Sequence, residues 1–181
     1  VVNMNYMGDA LLTTPALSAL RETYPDAQID TIVGAGAPTE VLRGNPDLNS
    51  VISREANGSM ARIGELYRLL RRERYSEVII LPPLPAYAIA AALARTPSRI
   101  GQADRGMNRL LTRKMRTQAV HMADAMLDTM PVAPEARLHR RLSVALHEQD
   151  RADAAGLLAE AGMDHSRPLV AVNLGATLPQ K

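Results

Sequence analysis

The chain has 181 residues, 46% of them hydrophobic, enough for one domain of ordinary size plus an appendage. Aromatic residues are only 3%, with no Phe and no Trp, so its core is aliphatic; Cys is absent, which excludes a disulfide framework, a thiolate metal site and a Cys nucleophile, and fits a reducing cytoplasm. Net charge is only +2, yet 19 of the 21 basic residues are Arg, whose planar fork suits phosphate and carboxylate ligands; a GC-rich coding bias gives the same composition. No apolar run approaches the roughly 20 residues of a membrane span, and no signal peptide is visible at the start.

Short apolar runs alternate with helical patterns along the chain, which predicts βα units and a parallel sheet. Residues 1–4 read as a first strand and Gly8-Asp9 as a turn. Residues 10–24 read as one amphipathic helix, with Leu12, Ala16, Ala19 and Leu20 on one face and Pro15 early in it. Strands follow at 29–33, 51–52 and 78–81, separated by helices at 39–43 and 60–74. A buried-looking helix is expected at 87–95 and a short strand at 99–101. Residues 102–118 carry many charges and few large apolar side chains, and read as a loop, mobile or partly helical. Then come a helix at 121–130, an extended connector at 140–146, a helix at 148–161 closed by Gly162, and a strand at 169–174. The domain reading is therefore 1–145 as one Rossmann-like domain and 146–181 as a connector helix plus the first strand of a second. Both ends read as interruptions of a longer protein, since the chain opens inside a strand without Met.

The sharpest site lies where the first strand meets the first helix, the edge at which open α/β sheets bind ligands. Gly8 permits a tight turn and leaves space for a substrate. Asp9 has two readings: an N-cap of the helix, or a general base that takes a proton from an incoming hydroxyl. Arg105, Arg109, Arg113 and Arg116 fall at spacings of four, four and three, with Lys114 beside them. On a helix they form one cationic stripe, either a solvated face or a cradle for an anionic ligand. Nucleic acid is a poorer partner, because no aromatic platform interleaves with these arginines. The four His show no ligand spacing and no Asp-x-Asp pair exists, so no metal site is expected. His121, at a helix start, reads as a cap or surface residue.

The run Gly8-Asp9-Ala10-Leu11-Leu12-Thr13-Thr14-Pro15-Ala16-Leu17 resembles the opening motif of glycosyltransferase family 9, the heptosyltransferase family. Leu20-Arg21 with Tyr24-Pro25-Asp26-Ala27, then Gly44-Asn45-Pro46-Asp47, Arg99-Ile100-Gly101, His121 with Asp124, and Gly175-Ala176-Thr177 with Lys181 match the same family in order and spacing. The resemblance covers nearly the whole chain. It implies the N-terminal half of a GT-B glycosyltransferase, with two Rossmann-like domains across a cleft. It implies inverting transfer of a sugar, heptose being expected, from a nucleotide sugar such as ADP-heptose to an anionic glycolipid acceptor, the lipopolysaccharide inner core. Asp9 takes the role of base. Gly8, Thr13, Arg105, Arg109, Arg113 and His121 are the candidate acceptor contacts, and Thr177 and Lys181 the donor contacts. No cofactor or metal is expected, and the chain alone should be inactive without the rest of its donor half. The expected location is the cytoplasm, with peripheral contact at the inner face of the inner membrane. The family often has Arg where this chain has Asn3, so the resemblance carries no acceptor contact to that position. Two rivals remain: a non-catalytic Rossmann-like glycan-binding module, and a GT-B sugar-nucleotide epimerase.

Overall fold

In the computed structural model, which describes all residues except 4–5, 56–57, 104–108, 139–140, 164–169, 171 and 173–181, the start of the chain lies between two sheets. Strands β1 (Asp30–Gly34) and β2 (Ser50–Arg54) pair in parallel, as do β3 (Glu77–Ile80), β4 (Ser98–Gln102) and β5 (Arg113–Met115) in the order β3-β4-β5. Val2 bridges Ile32 of β1 on one side and Ile80 of β3 on the other, both in parallel. Its amide donates to the Ile79 carbonyl at 2.8 Å, and the Asn3 amide donates to the Ile32 carbonyl at 2.8 Å. Residues 1–3 therefore take the place of the expected first strand. Counted as the first of six, they give the order 3-2-1-4-5-6, the doubly wound pattern whose ligand crevice opens where the order reverses.

Side-chain alternation along the strands sorts two cores onto the two faces. Val33, Ile79, Leu81 and Ile100 pack with Ala16, Leu17, Leu20, Leu42, Met126 and Leu127. Val2, Ile32, Val78 and Ile80 pack with Leu66, Leu70, Tyr87, Ala90 and Ala91. Helices α2 (Thr14–Thr23), α3 (Ala37–Leu42) and α6 (Met122–Thr129) thus cover one face, and α4 (Ser59–Glu73) and α5 (Pro85–Leu93) the other. Ala-rich α5 lies close against the sheet because its Ala86, Ala88, Ala90 and Ala91 are all buried.

Two expectations are corrected. The helix expected over 10–24 is broken at Thr13 into α1 (Met7–Leu12) and α2. Pro15 explains the break. It has no N–H for the Leu11 carbonyl, and its ring crowds that same carbonyl. The Thr14 hydroxyl donates to Leu11 O at 2.8 Å instead. The second correction is β5, within the stretch read as loop or helix. Only three residues long and at the sheet's end, it tolerates exposed Arg113 and Lys114, as edge strands do. A short 3-10 helix at Glu135–Leu138 was not expected either. Of the strand expected at 169–174, only Val170 and Val172 lie among the described residues.

The chain divides into two compact units, Val1–Ala145 and Leu146–Lys181. The second holds helix α7 (Glu148–Glu160), which opens with the His147 amide donating to Asp150 Oδ2 at 2.8 Å and buries none of its residues. No described helix is long and apolar enough to cross a membrane.

Candidate functional site

The C-terminal ends of the parallel strands bring Asn3, Gly34, Arg54, Ile80, Gln102 and Met115 to one edge of the sheet. Helix α1 starts beside that edge, a few residues beyond Asn3, at the point where the strand order reverses. Asp9 is the third residue of α1 and partly exposed. It is not the N-cap: Tyr6 holds that position and makes no side-chain cap bond. Among the described residues the Asp9 carboxylate meets no hydrogen-bond donor or cation. Gly8 is exposed, and a Cβ built on it would touch nothing within 4 Å. Neither backbone strain nor packing accounts for this glycine, and it leaves open space next to Asp9.

The floor beneath α1 is buried and polar. Asn3 and Thr13 are both 0% exposed. The Thr13 hydroxyl oxygen lies 2.8 Å from the Asn3 side-chain amide and 2.8 Å from the Asp9 carbonyl. Thr13, expected at the acceptor, is therefore corrected: its hydroxyl is used inside the fold, at the helix break, and is closed to a ligand. Arg54, at the end of β2, is 5% exposed. Its Nη2 lies 3.4 Å from the Asn3 carbonyl, and its guanidinium carbon sits 5.0 Å from the centre of the Tyr87 ring. Burial pulls the Arg54 guanidinium below its ordinary value, and burial pushes the Tyr87 phenol up. Sequence reasoning missed Arg54. The available signal was a charged residue two positions after the apolar pair Val51-Ile52, on the same side of the strand as Ile52.

Among the described residues Arg109, Arg113 and Arg116 do not form a helical stripe. Arg105 lies outside the described residues. Arg109 is exposed in the turn leading into β5. Arg113 opens β5 at the other end of the sheet, where its Nη1 is 3.9 Å from Glu77 Oε2. Arg116 is exposed just past the C-terminal end of β5, the last strand along the edge that also carries Asn3. A strand within the segment breaks the helical spacing that would have aligned them. His121 caps α6, its Nδ1 accepting the Ala123 amide at 3.3 Å; its ring is exposed. Thr177 and Lys181 lie outside the described residues. Other motif residues hold the fold: Arg21 donates to the carbonyls of Ala27 (2.7 Å) and Pro25 (3.0 Å) and to Asn49 Oδ1 (2.7 Å). Among the described residues no three His, Asp or Glu come together as a metal-ligand group.

No family model matches the sequence. Lipopolysaccharide heptosyltransferase 3 of Escherichia coli is 31% identical over 104 residues, 55% of this chain and 30% of that protein. The crystal structure of a family 9 glycosyl transferase from Veillonella parvula aligns with a TM-score of 0.84 at 23% identity, covering 99% of this chain and 53% of its own. The Escherichia coli heptosyltransferase WaaC, solved with ADP, aligns with a TM-score of 0.52 at 17% identity, covering 87% of this chain and 52% of its own. The chain thus spans about half the length of these solved structures and less of the curated relative.

Proposed function

We propose, from the premise that the chain is a relative of the lipopolysaccharide heptosyltransferases and of glycosyltransferase family 9, that it carries the acceptor side of an inverting sugar transfer. The donor is a nucleotide sugar, ADP-heptose in the first instance, and the acceptor an anionic glycolipid of the lipopolysaccharide inner core. The observation that carries this reading is Asp9: partly exposed at the crevice of a doubly wound sheet, beside the open space at Gly8, with no partner among the described residues. In the proposed step the Asp9 carboxylate removes the proton from an acceptor hydroxyl as that oxygen attacks the anomeric carbon. The bond to the nucleoside diphosphate breaks on the opposite face, so the anomeric configuration inverts. Unit Val1–Ala145 receives the acceptor; Leu146–Lys181 belongs to the donor half, where Thr177 and Lys181 meet the donor phosphates. The site is proposed to work at the cytoplasmic membrane surface. Turnover of the protein containing this chain and its donor half, against a panel of nucleotide sugars with an inner-core acceptor, tests the reading. No transfer from any of them defeats it.

Gly8→Ala separates packing from ligand access. Ala is the better helix former by roughly 1 kcal/mol and its methyl meets no protein atom. Thermal stability is expected to hold or rise, while acceptor KM rises or turnover falls at least tenfold. Unchanged kinetics would show that no substrate approaches that backbone.

Arg116 and Arg113 make a matched pair for the anionic acceptor. Arg116→Gln, just past the C-terminal end of β5, should weaken acceptor binding several-fold and flatten its salt dependence. Arg113→Gln, at the opposite end of the sheet, should leave both alone and change stability by less than about 1 kcal/mol, since its ion pair is solvent-exposed. Isothermal titration at two salt concentrations checks both.

A further inference from the structure

We propose that Asn3 and Thr13 form a buried strut that positions Asp9, making both positioning residues for the transfer; the proposal rests on the assignment of Asp9 as base. Thr13 stands at the break between α1 and α2, with φ −81° and ψ −20°. In an unbroken helix its amide would serve the Asp9 carbonyl four residues back. Here that amide turns to Ala10 O at 3.2 Å. The Asp9 carbonyl is served instead by the Thr13 hydroxyl, at 2.8 Å. A hydroxyl has one hydrogen, and both oxygens beside it only accept, so the Asp9 carbonyl and the Asn3 side chain share it. On the other side the Asn3 side-chain oxygen Oδ1 accepts from the same hydroxyl, also at 2.8 Å, so one buried hydroxyl bridges Asn3 and the Asp9 carbonyl.

The backbone of Asn3 is held by the sheet, its amide donating to Ile32 O at 2.8 Å. The path therefore runs from the sheet through the Asn3 amide and the Thr13 hydroxyl to the peptide of Asp9. Met126 of α6 closes the side of this path, with its sulfur 3.5 Å from the Thr13 oxygen. The Asn3–Thr13 part of it is dry, since both residues are 0% exposed, and buried hydrogen bonds of this kind hold geometry tightly. A general base must sit within hydrogen-bond reach of the proton it takes, so a shift of its turn costs rate before it costs substrate affinity. Asn suits this place because its side-chain oxygen accepts from the hydroxyl without bringing a buried charge; Leu would leave the hydroxyl without that acceptor.

The test compares Thr13→Val, which keeps the shape and loses the hydroxyl, with Thr13→Ser, which keeps the hydroxyl. It adds Asn3→Leu and the Thr13→Val/Asn3→Leu double variant, all in the protein containing the donor half. Thr13→Val and Asn3→Leu are expected to lower kcat roughly tenfold to a hundredfold, with donor KM within about twofold of the parent. Thr13→Ser should stay within about threefold of the parent kcat, and the double variant should be no slower than the slower single, because both cut one path. Melting curves on every variant separate loss of folded protein from loss of rate, and Asn3→Leu carries the test if Thr13→Val does not fold. Parent-like kcat in Thr13→Val or in Asn3→Leu overturns the strut, as does a Thr13→Ser variant as slow as Thr13→Val. Asp9→Asn runs alongside. If it keeps turnover, the base assignment falls and the strut with it; if it loses turnover while Thr13→Val keeps it, the strut alone falls.

Discussion

Asp9→Asn should lower turnover by roughly two to four orders of magnitude while the melting temperature stays nearly unchanged. The substitution keeps the shape and removes the basic oxygen. The structure sharpens this expectation. As an N-cap, Asp9 would tolerate Asn but not Ala, which would cost about 1 kcal/mol. In the fold it is the third residue of α1 and caps nothing. What remains is the attraction of a carboxylate in the first turn for the helix dipole, about 0.3–1 kcal/mol, which Asn and Ala lose alike. Both variants should therefore be folded and nearly equal in stability, and both should be slow. Steady-state kinetics with melting curves on the two proteins give the answer. Near-normal turnover in Asp9→Asn removes the catalytic assignment.

Leu17→Ala should be among the costly single truncations in the first unit, at about 3 kcal/mol. Leu17 is 0% exposed on α2 and belongs to the core formed with Ala16, Leu20, Met126 and Leu127 against Ile79 and Ile100. Its neighbours are aliphatic and set by a sheet on one side and two helices on the other, so the cavity collapses poorly. For a unit of this size the melting temperature should fall by about 10 °C. Leu157→Ala is the control. Leu157 is 67% exposed on α7, in the second unit, and should cost less than about 0.5 kcal/mol. Urea melts of the two variants, read at the same wavelength, check the contrast; equal losses would refute the packing described for α2.

The doubly wound fold was legible because its signals are local. Runs such as Val78-Ile79-Ile80 are too short and too β-branched for helices, and the segments between them repeat apolar residues at helical spacing. The place of Asp9 was legible only in part: the first strand–helix junction was expected there, but Gly8-Asp9, read as a turn before a helix from residue 10, lie inside α1. The Arg cluster was misread because helical spacing says where side chains fall only if the segment is helical. A three-residue edge strand, β5, is held mainly by its partner β4, and no local pattern announces it.

By itself, then, the sequence determined the alternation of strands and helices, the aliphatic character of the core and the placing of Asp9 near the junction of the first strand and the first helix. These depend on residue type and short-range period, which the chain carries in every conformation. Only the tertiary structure decided that Arg54 is buried against Tyr87, that Arg113 and Arg116 sit at opposite ends of the sheet, and that Asn3 meets Thr13. Each is a relation between residues brought together by strand order and helix packing. Which polar groups are sealed from water together is a property of that packing, and it is there that a buried amide and a hydroxyl come to hold the turn of Asp9.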